Sequence, residues 1–171
     1  MRARSLRVAG AAGILLLCGT VGASPVHAST PHVLLVCPTG PNDSPGLAGP
    51  VLTCPAGQYA SIQSAVNAAV DGDWILVAPG DYHEKADTTA GVHITTPNIH
   101  LRGMDRNGVV VDGTKSTVTT QCSAASADQD TNGGHGRNGI EIFKVDGTSV
   151  DNLTVCNYLK GDNGAGNEIW W

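Results

Sequence analysis

Three constellations in this sequence carry residue types that do chemistry. The first is Gly80-Asp81-Tyr82-His83-Glu84, which puts two carboxylates and an imidazole within four residues of a Pro79-Gly80 turn. A histidine beside a carboxylate is an acid–base pair that titrates near neutral pH. The second is the polar stretch 119–139, where Asp128, Asp130 and His135 offer hard oxygen and imidazole ligands and Arg137 can pair with a carboxylate. Calcium is the cation such oxygens suit, but a calcium loop takes several of them, and a solvated loop tied down by Cys122 is the simpler reading. The third is His93 and His100, which flank one turn and point away from the apolar pairs Val92/Ile94 and Ile99/Leu101. They are expected on the outer surface near one another, where copper or zinc would be the metal. Trp74, Trp170 and Trp171 could stack on sugar rings, and core packing explains them as well.

The elements that must position these residues are short. Ser61 caps a helix whose Ile62, Ala65, Val66, Ala69 and Val70 form one apolar stripe, and Gly72 stops it at C′. From Trp74 onward the recurring unit is a pair of apolar residues two apart, at 75/77, 92/94, 99/101, 109/111, 140/142, 153/155 and 169/171. Each reads as a strand with one face inward, with turn signals between them.

Residues 91–103 resemble 139–157, with Asn98 and Asn152 in equivalent turn positions, where they are expected to stack on one another. "GNEI" at 166–169 restarts "GIEI" at 139–142, a repeat of 27 residues. Short strands at that period predict a solenoid, a stacked β-coil whose open N-terminal end is covered by the amphipathic helix, with an ordinary sandwich of repeated turn chemistry as the alternative.

The flanks and the charge set the compartment. Arg2, Arg4 and Arg7 precede an apolar run that ends in Val26-His27-Ala28, the pattern of a signal peptide over 1–28, so the chain is expected to be secreted and extracellular. Losing those three arginines takes the net charge from −5 to −8. Such an acidic domain has no footprint for nucleic acid, nor for a membrane after cleavage. A Pro- and Gly-rich lead-in follows over 29–58, with one strand in "HVLLVC", and the main domain is expected over 59–171.

In an exported chain Cys37, Cys54, Cys122 and Cys156 read as two disulfides. Three pairings are open, and Cys37–Cys54 with Cys122–Cys156 is the expected one.

The segment 59–84, "YASIQSAVNAAVDGDWILVAPGDYHE", resembles the N-terminal start of the pectin-lyase-like superfamily of right-handed parallel β-helix repeat proteins. The matching residues are Ile62, Gln63, Ala65, Val66, Ala68, Ala69, Gly72, Asp73, Ile75 to Val77, Pro79, Gly80, Tyr82 and Glu84. The resemblance covers 59–84 closely and 91–171 loosely. It implies a fold shared by pectate lyases, pectin methylesterases, polygalacturonases, adhesins and copper-site maturation proteins. It also implies that Tyr82 and Glu84 are structural, with Glu84 satisfying turn amides. The catalytic motifs of the lyases and esterases have no counterpart here, so the catalytic and substrate-binding residues are unknown.

The expectation is a protein that binds or degrades polysaccharide; if an enzyme, a polysaccharide lyase or glycoside hydrolase. A non-catalytic surface or adhesion scaffold is the alternative, and metal delivery a third. No cofactor is evident beyond the calcium considered above, and a complete chain is expected as a monomer. The terminal "GNEIWW" has no polar cap, so the chain reads as the N-terminal part of a longer solenoid, with any catalytic residues mostly beyond Trp171.

Overall fold

A computed structural model describes residues 30–38 and 55–171. The expected signal peptide, Cys54 and most of the 29–58 lead-in fall outside the described residues.

The helix, α1 (Ile62–Ala68), starts where the sequence places it. Ser61 accepts from the amide of Ser64 at 3.1 Å, and the Ser64 hydroxyl accepts from the amide of Ser61, a reciprocal cap. The next two orphan amides are satisfied from far along the chain. Ile62 and Gln63 donate to the two carboxylate oxygens of Glu84 at 2.6 and 3.2 Å. Glu84 thus holds a helix end rather than a turn. Burial pushes its carboxyl up, against the two amides that favour its charge.

The helix ends earlier than its stripe suggests. Ala69 is already extended, Val70 is 46% exposed, and Gly72 takes its φ of +87° in the turn that follows. The cause is Asp73, which accepts the Val70 amide at 2.9 Å and turns the chain toward the first strand of the main run.

Among the described residues, ten short strands assemble into three sheets. β1 (Val33–Val36), β2 (Trp74–Val77), β5 (His100–Gly103) and β8 (Ser149–Asp151) form the first, in the order β1-β2-β5-β8. β4 (Ala90–Ile94), β7 (Asn138–Ile142) and β10 (Ile169–Trp170) form the second, and β3 (Gly80–Tyr82), β6 (Val109–Asp112) and β9 (Thr154–Cys156) the third. Every strand pair is parallel. Inward residues share one core in which Val36, Ile75, Val77, Leu101, Val111 and Ile140 are fully buried. The outer edge strand β4 is protected by the helix, because the Gln63 side chain bonds both the N–H and the C=O of His93, at 2.7 and 3.2 Å.

This arrangement corrects the expected fold. The expectation is one right-handed parallel β-helical coil, whereas the described strands form three separate small parallel sheets that do not close on one another. The steps between paired strands are unequal: 26 residues for Trp74↔His100, 41 for Val33↔Trp74 and 49 for His100↔Ser149.

The internal repeats also fail as guides to register. Leu101 pairs with Val150, in a strand the sequence reading omits, while Val155 pairs with Val111 in another sheet. The "GIEI"/"GNEI" match would set Ile169 beside Ile142, but Ile169 pairs with Ile140. A two-residue slip keeps the same face inward, so hydrophobic alternation alone does not exclude it. Asn98 and Asn152 do share a left-handed conformation, at φ 55° and 56°. Their side chains bond Asp71 and the carbonyl of Gly103 respectively, not each other.

Replacing Glu84 with Ala leaves the Ile62 and Gln63 amides without their acceptors. It is expected to lower stability by about 2 kcal/mol in urea denaturation. A loss below a few tenths would show that the helix end does not depend on this carboxylate.

Candidate functional site

Alternation along the first sheet separates its two faces. Leu34, Ile75 and Leu101 point into the core, so Val33, Trp74 and His100 form one outward row and Leu35, Leu76 and Arg102 a second. Register extends the rows to Ser149 and Asp151. Cross-strand neighbours lie about 4.8 Å apart, close enough for each row to act as a ladder.

The first row is aromatic. Trp74, 37% exposed, stacks on the His100 ring with centroids 4.5 Å apart and planes inclined by 27°. His100 is fixed in turn by its Nδ1, 2.9 Å from the Ser149 hydroxyl. The second row is charged: the Arg102 guanidinium meets the Asp151 carboxylate at 2.6 Å, both side chains half-exposed. The face therefore offers a flat aromatic surface beside donors and acceptors held in fixed positions.

The approach to Trp74 is set by Asp73. Its buried carboxylate accepts the amides of His32 and Val70 at 2.8 and 2.9 Å, and the His32 imidazole lies 3.3 Å away. Burial opposes ionisation, but the two amides and His32 outweigh it and hold the carboxyl below its usual range.

The constellations singled out in the sequence are distributed differently. Along Gly80–Glu84 the side chains alternate. Tyr82 joins the core and donates its hydroxyl to the Ala78 carbonyl at 2.6 Å, and Glu84 caps the helix. Asp81 and His83 share the opposite side, Asp81 buried and His83 half-buried, with His83 Nε2 3.6 Å from Asp81 Oδ2.

His93 and His100 stand in different sheets with separate partners. His93 meets Asp87 at 2.6 Å and the edge of Phe143, and His100 meets Trp74 and Ser149. Asp128 accepts from the Ser123 hydroxyl, Asp130 is bound by Lys85 with Arg137 at 3.8 Å, and His135 pairs with Asp162 at 2.6 Å. Each of these three thus has its own partners. Trp171 is 80% exposed and lines a cavity of about 430 Å³ with Ile142, Asp146, Thr148, Val150 and Ile169.

Of the cysteines, Cys122 and Cys156 form a disulfide that ties the 113–137 loop to β9, and Cys37 is also disulfide-bonded. The two sulfurs lie within 4.8 Å of the Asp112 carboxylate, whose oxygens accept the amides of Thr114 and Cys122.

Sequence reasoning missed Arg102 and Asp151. The i, i+2 spacing of Trp74/Leu76 and His100/Arg102 was the available signal, but pairing them requires the register. No family model matches the chain, and no curated protein or solved structure matches it either.

An Asp73→Asn variant leaves one buried amide without an acceptor, at a cost of about 1–3 kcal/mol at pH 7. Because the folded-state pKa of Asp73 is lowered, its contribution is present above about pH 4, the unfolded value, and is lost as pH falls through the folded one. The gap in stability between wild type and variant should therefore narrow below about pH 4, measured by urea unfolding across pH.

Proposed function

We propose that the chain binds polysaccharide across the outer face of the first sheet. The observation that carries this reading is the exposed Trp74 ring, stacked on His100 and set one pleat away from the Arg102–Asp151 pair. A pyranose presents an apolar C–H face and a rim of hydroxyls. The aromatic row suits the first, and Arg102, Asp151 and Ser149 suit the second. Arg102 can also give two parallel donors to a uronate carboxylate, at the expense of its bond to Asp151. That local cation matters in a chain of net charge −5, which otherwise repels polyanions.

Binding is the function this face supports. Glycoside hydrolysis normally takes a pair of carboxylates across the bond to be cut, and Asp151 is the one carboxylate in the two rows, engaged with Arg102.

Affinity electrophoresis through gels containing neutral or uronate-rich polysaccharide tests the reading. The wild type should be retarded, and Trp74→Ala should lose at least about tenfold in affinity while its circular dichroism stays unchanged. Arg102→Ala should weaken the uronate gel more than the neutral one. Equal mobility of all three proteins in every gel would remove the proposal.

A further inference from the structure

His83 faces two groups that can only accept. Its Nδ1 lies 2.9 Å from the carbonyl oxygen of Thr114, and its Nε2 lies 3.6 Å from Oδ2 of Asp81. A neutral imidazole carries one proton, so it serves one of these neighbours and turns a lone pair on the other. An imidazolium presents an N–H to both. The second contact matters because Asp81 is 1% exposed and neither of its oxygens has a hydrogen-bond partner, which leaves His83 to answer its charge.

The two acceptors belong to different parts of the fold. Asp81 sits on β3, and Thr114 stands at the start of the 113–137 loop, where it bridges to Gln129. The other charges around His83 are negative or already engaged. Asp112, at the end of β6, is buried and adds its field to that of Asp81, while its oxygens take the amides of Thr114 and Cys122. Lys85, two residues along the chain, and Arg137, on the loop, both meet Asp130. Burial works against the imidazolium, but Asp81, the Thr114 carbonyl and Asp112 outweigh it and hold the His83 pKa above its usual value.

We propose that Asp81, His83 and Thr114 form a proton-operated latch that clamps the start of the 113–137 loop to β3 in mild acid and loosens it in alkali. With both ring nitrogens protonated, His83 ties the carbonyl and the carboxylate together. Once a proton is lost, it holds the loop or answers Asp81, not both. The direction follows from linkage. A group whose folded pKa is raised contributes stability that is complete below its unfolded value, about 6.5, and is lost as pH rises through the folded one. The Cys122–Cys156 bond anchors the loop further along, so the change is confined to the stretch between Thr114 and Cys122.

Backbone amide hydrogen exchange on the full chain with disulfides intact tests the latch, with rates corrected for their intrinsic rise with pH. The amides of Lys115 and Val118, bonded to the carbonyls of Asp128 and Lys115, report on the start of the loop. Between about pH 5.5 and about pH 8.5 their protection should fall, by about tenfold for each unit by which the folded pKa of His83 exceeds the unfolded one. The fall should vanish in His83→Gln, whose amide has no proton to lose. In Asp81→Asn the new amide can donate to Nε2, so a neutral ring keeps its bond to Thr114 and the loop should stay protected at the higher pH. His93→Gln and His135→Gln, which remove other His–Asp pairs, should keep the wild-type fall. If Asp81→Asn does not fold, the ring-nitrogen chemical shifts of His83 decide, since both nitrogens should be protonated in the native wild type at about pH 6. No fall in the wild type, a fall that survives in His83→Gln or in folded Asp81→Asn, or a His83 ring already neutral at that pH would overturn the latch.

Discussion

Parallel pairing across long sequence separations is the constraint on which this structure depends. A parallel pair cannot be closed by a tight turn, so each neighbour must return after a long excursion and land in register. Here the landing points are set by inward rows, of which Leu34, Ile75, Leu101 and Val150 form one across the first sheet. A one-residue slip in any strand would put its apolar set outside and its polar set in the core. The same register that buries Ile75 and Leu101 therefore brings Trp74 onto His100 and Arg102 onto Asp151. Site and core are two faces of one alignment.

Close approach between chains tightens this alignment further. A Cβ at Gly103 would collide with the backbone carbonyl of Asn152, whose side-chain Nδ2 donates to the Gly103 carbonyl. Asn152 takes a left-handed conformation there, at φ 56°, which asparagine tolerates better than most residues. At the other end of the sheets, buried carboxylates replace regular ladders. Glu84 closes the start of α1, and Asp73 closes its exit and orients β2. Each carboxylate faces two backbone donors. Desolvation prevails at Glu84 and raises its pKa, while the amides and His32 prevail at Asp73 and lower it.

Asp81 stands apart from these two, for no amide meets it. The loop 113–137 shows how the rest of that region is held. Asp112 takes two amides of the loop, the Cys122–Cys156 bond fixes it to β9, and Lys85 and Arg137 balance Asp130. Nearly every charge near the loop has a counterpart, and for Asp81 it is His83, whose Nε2 lies 3.6 Å away.

The sequence by itself determined what is local. Ser61 and the spacing of Ile62, Ala65 and Val66 specify where the helix starts and which side it buries, because capping and the 3.6-residue period act within one turn. Apolar pairs two apart mark most strands, and Tyr82 and Glu84 are legible as structural. The disulfide Cys122–Cys156 follows the expected pairing. Tertiary structure decided which strand lies beside which. It recruited Val150 rather than Leu153 opposite Leu101, set Ile169 beside Ile140, and divided the strands among three sheets instead of one coil. Side-chain alternation repeats every two residues, so it specifies a face without specifying a partner. The partner is chosen only when whole rows pack together, and with it the meeting of Trp74 with His100 and Arg102 with Asp151.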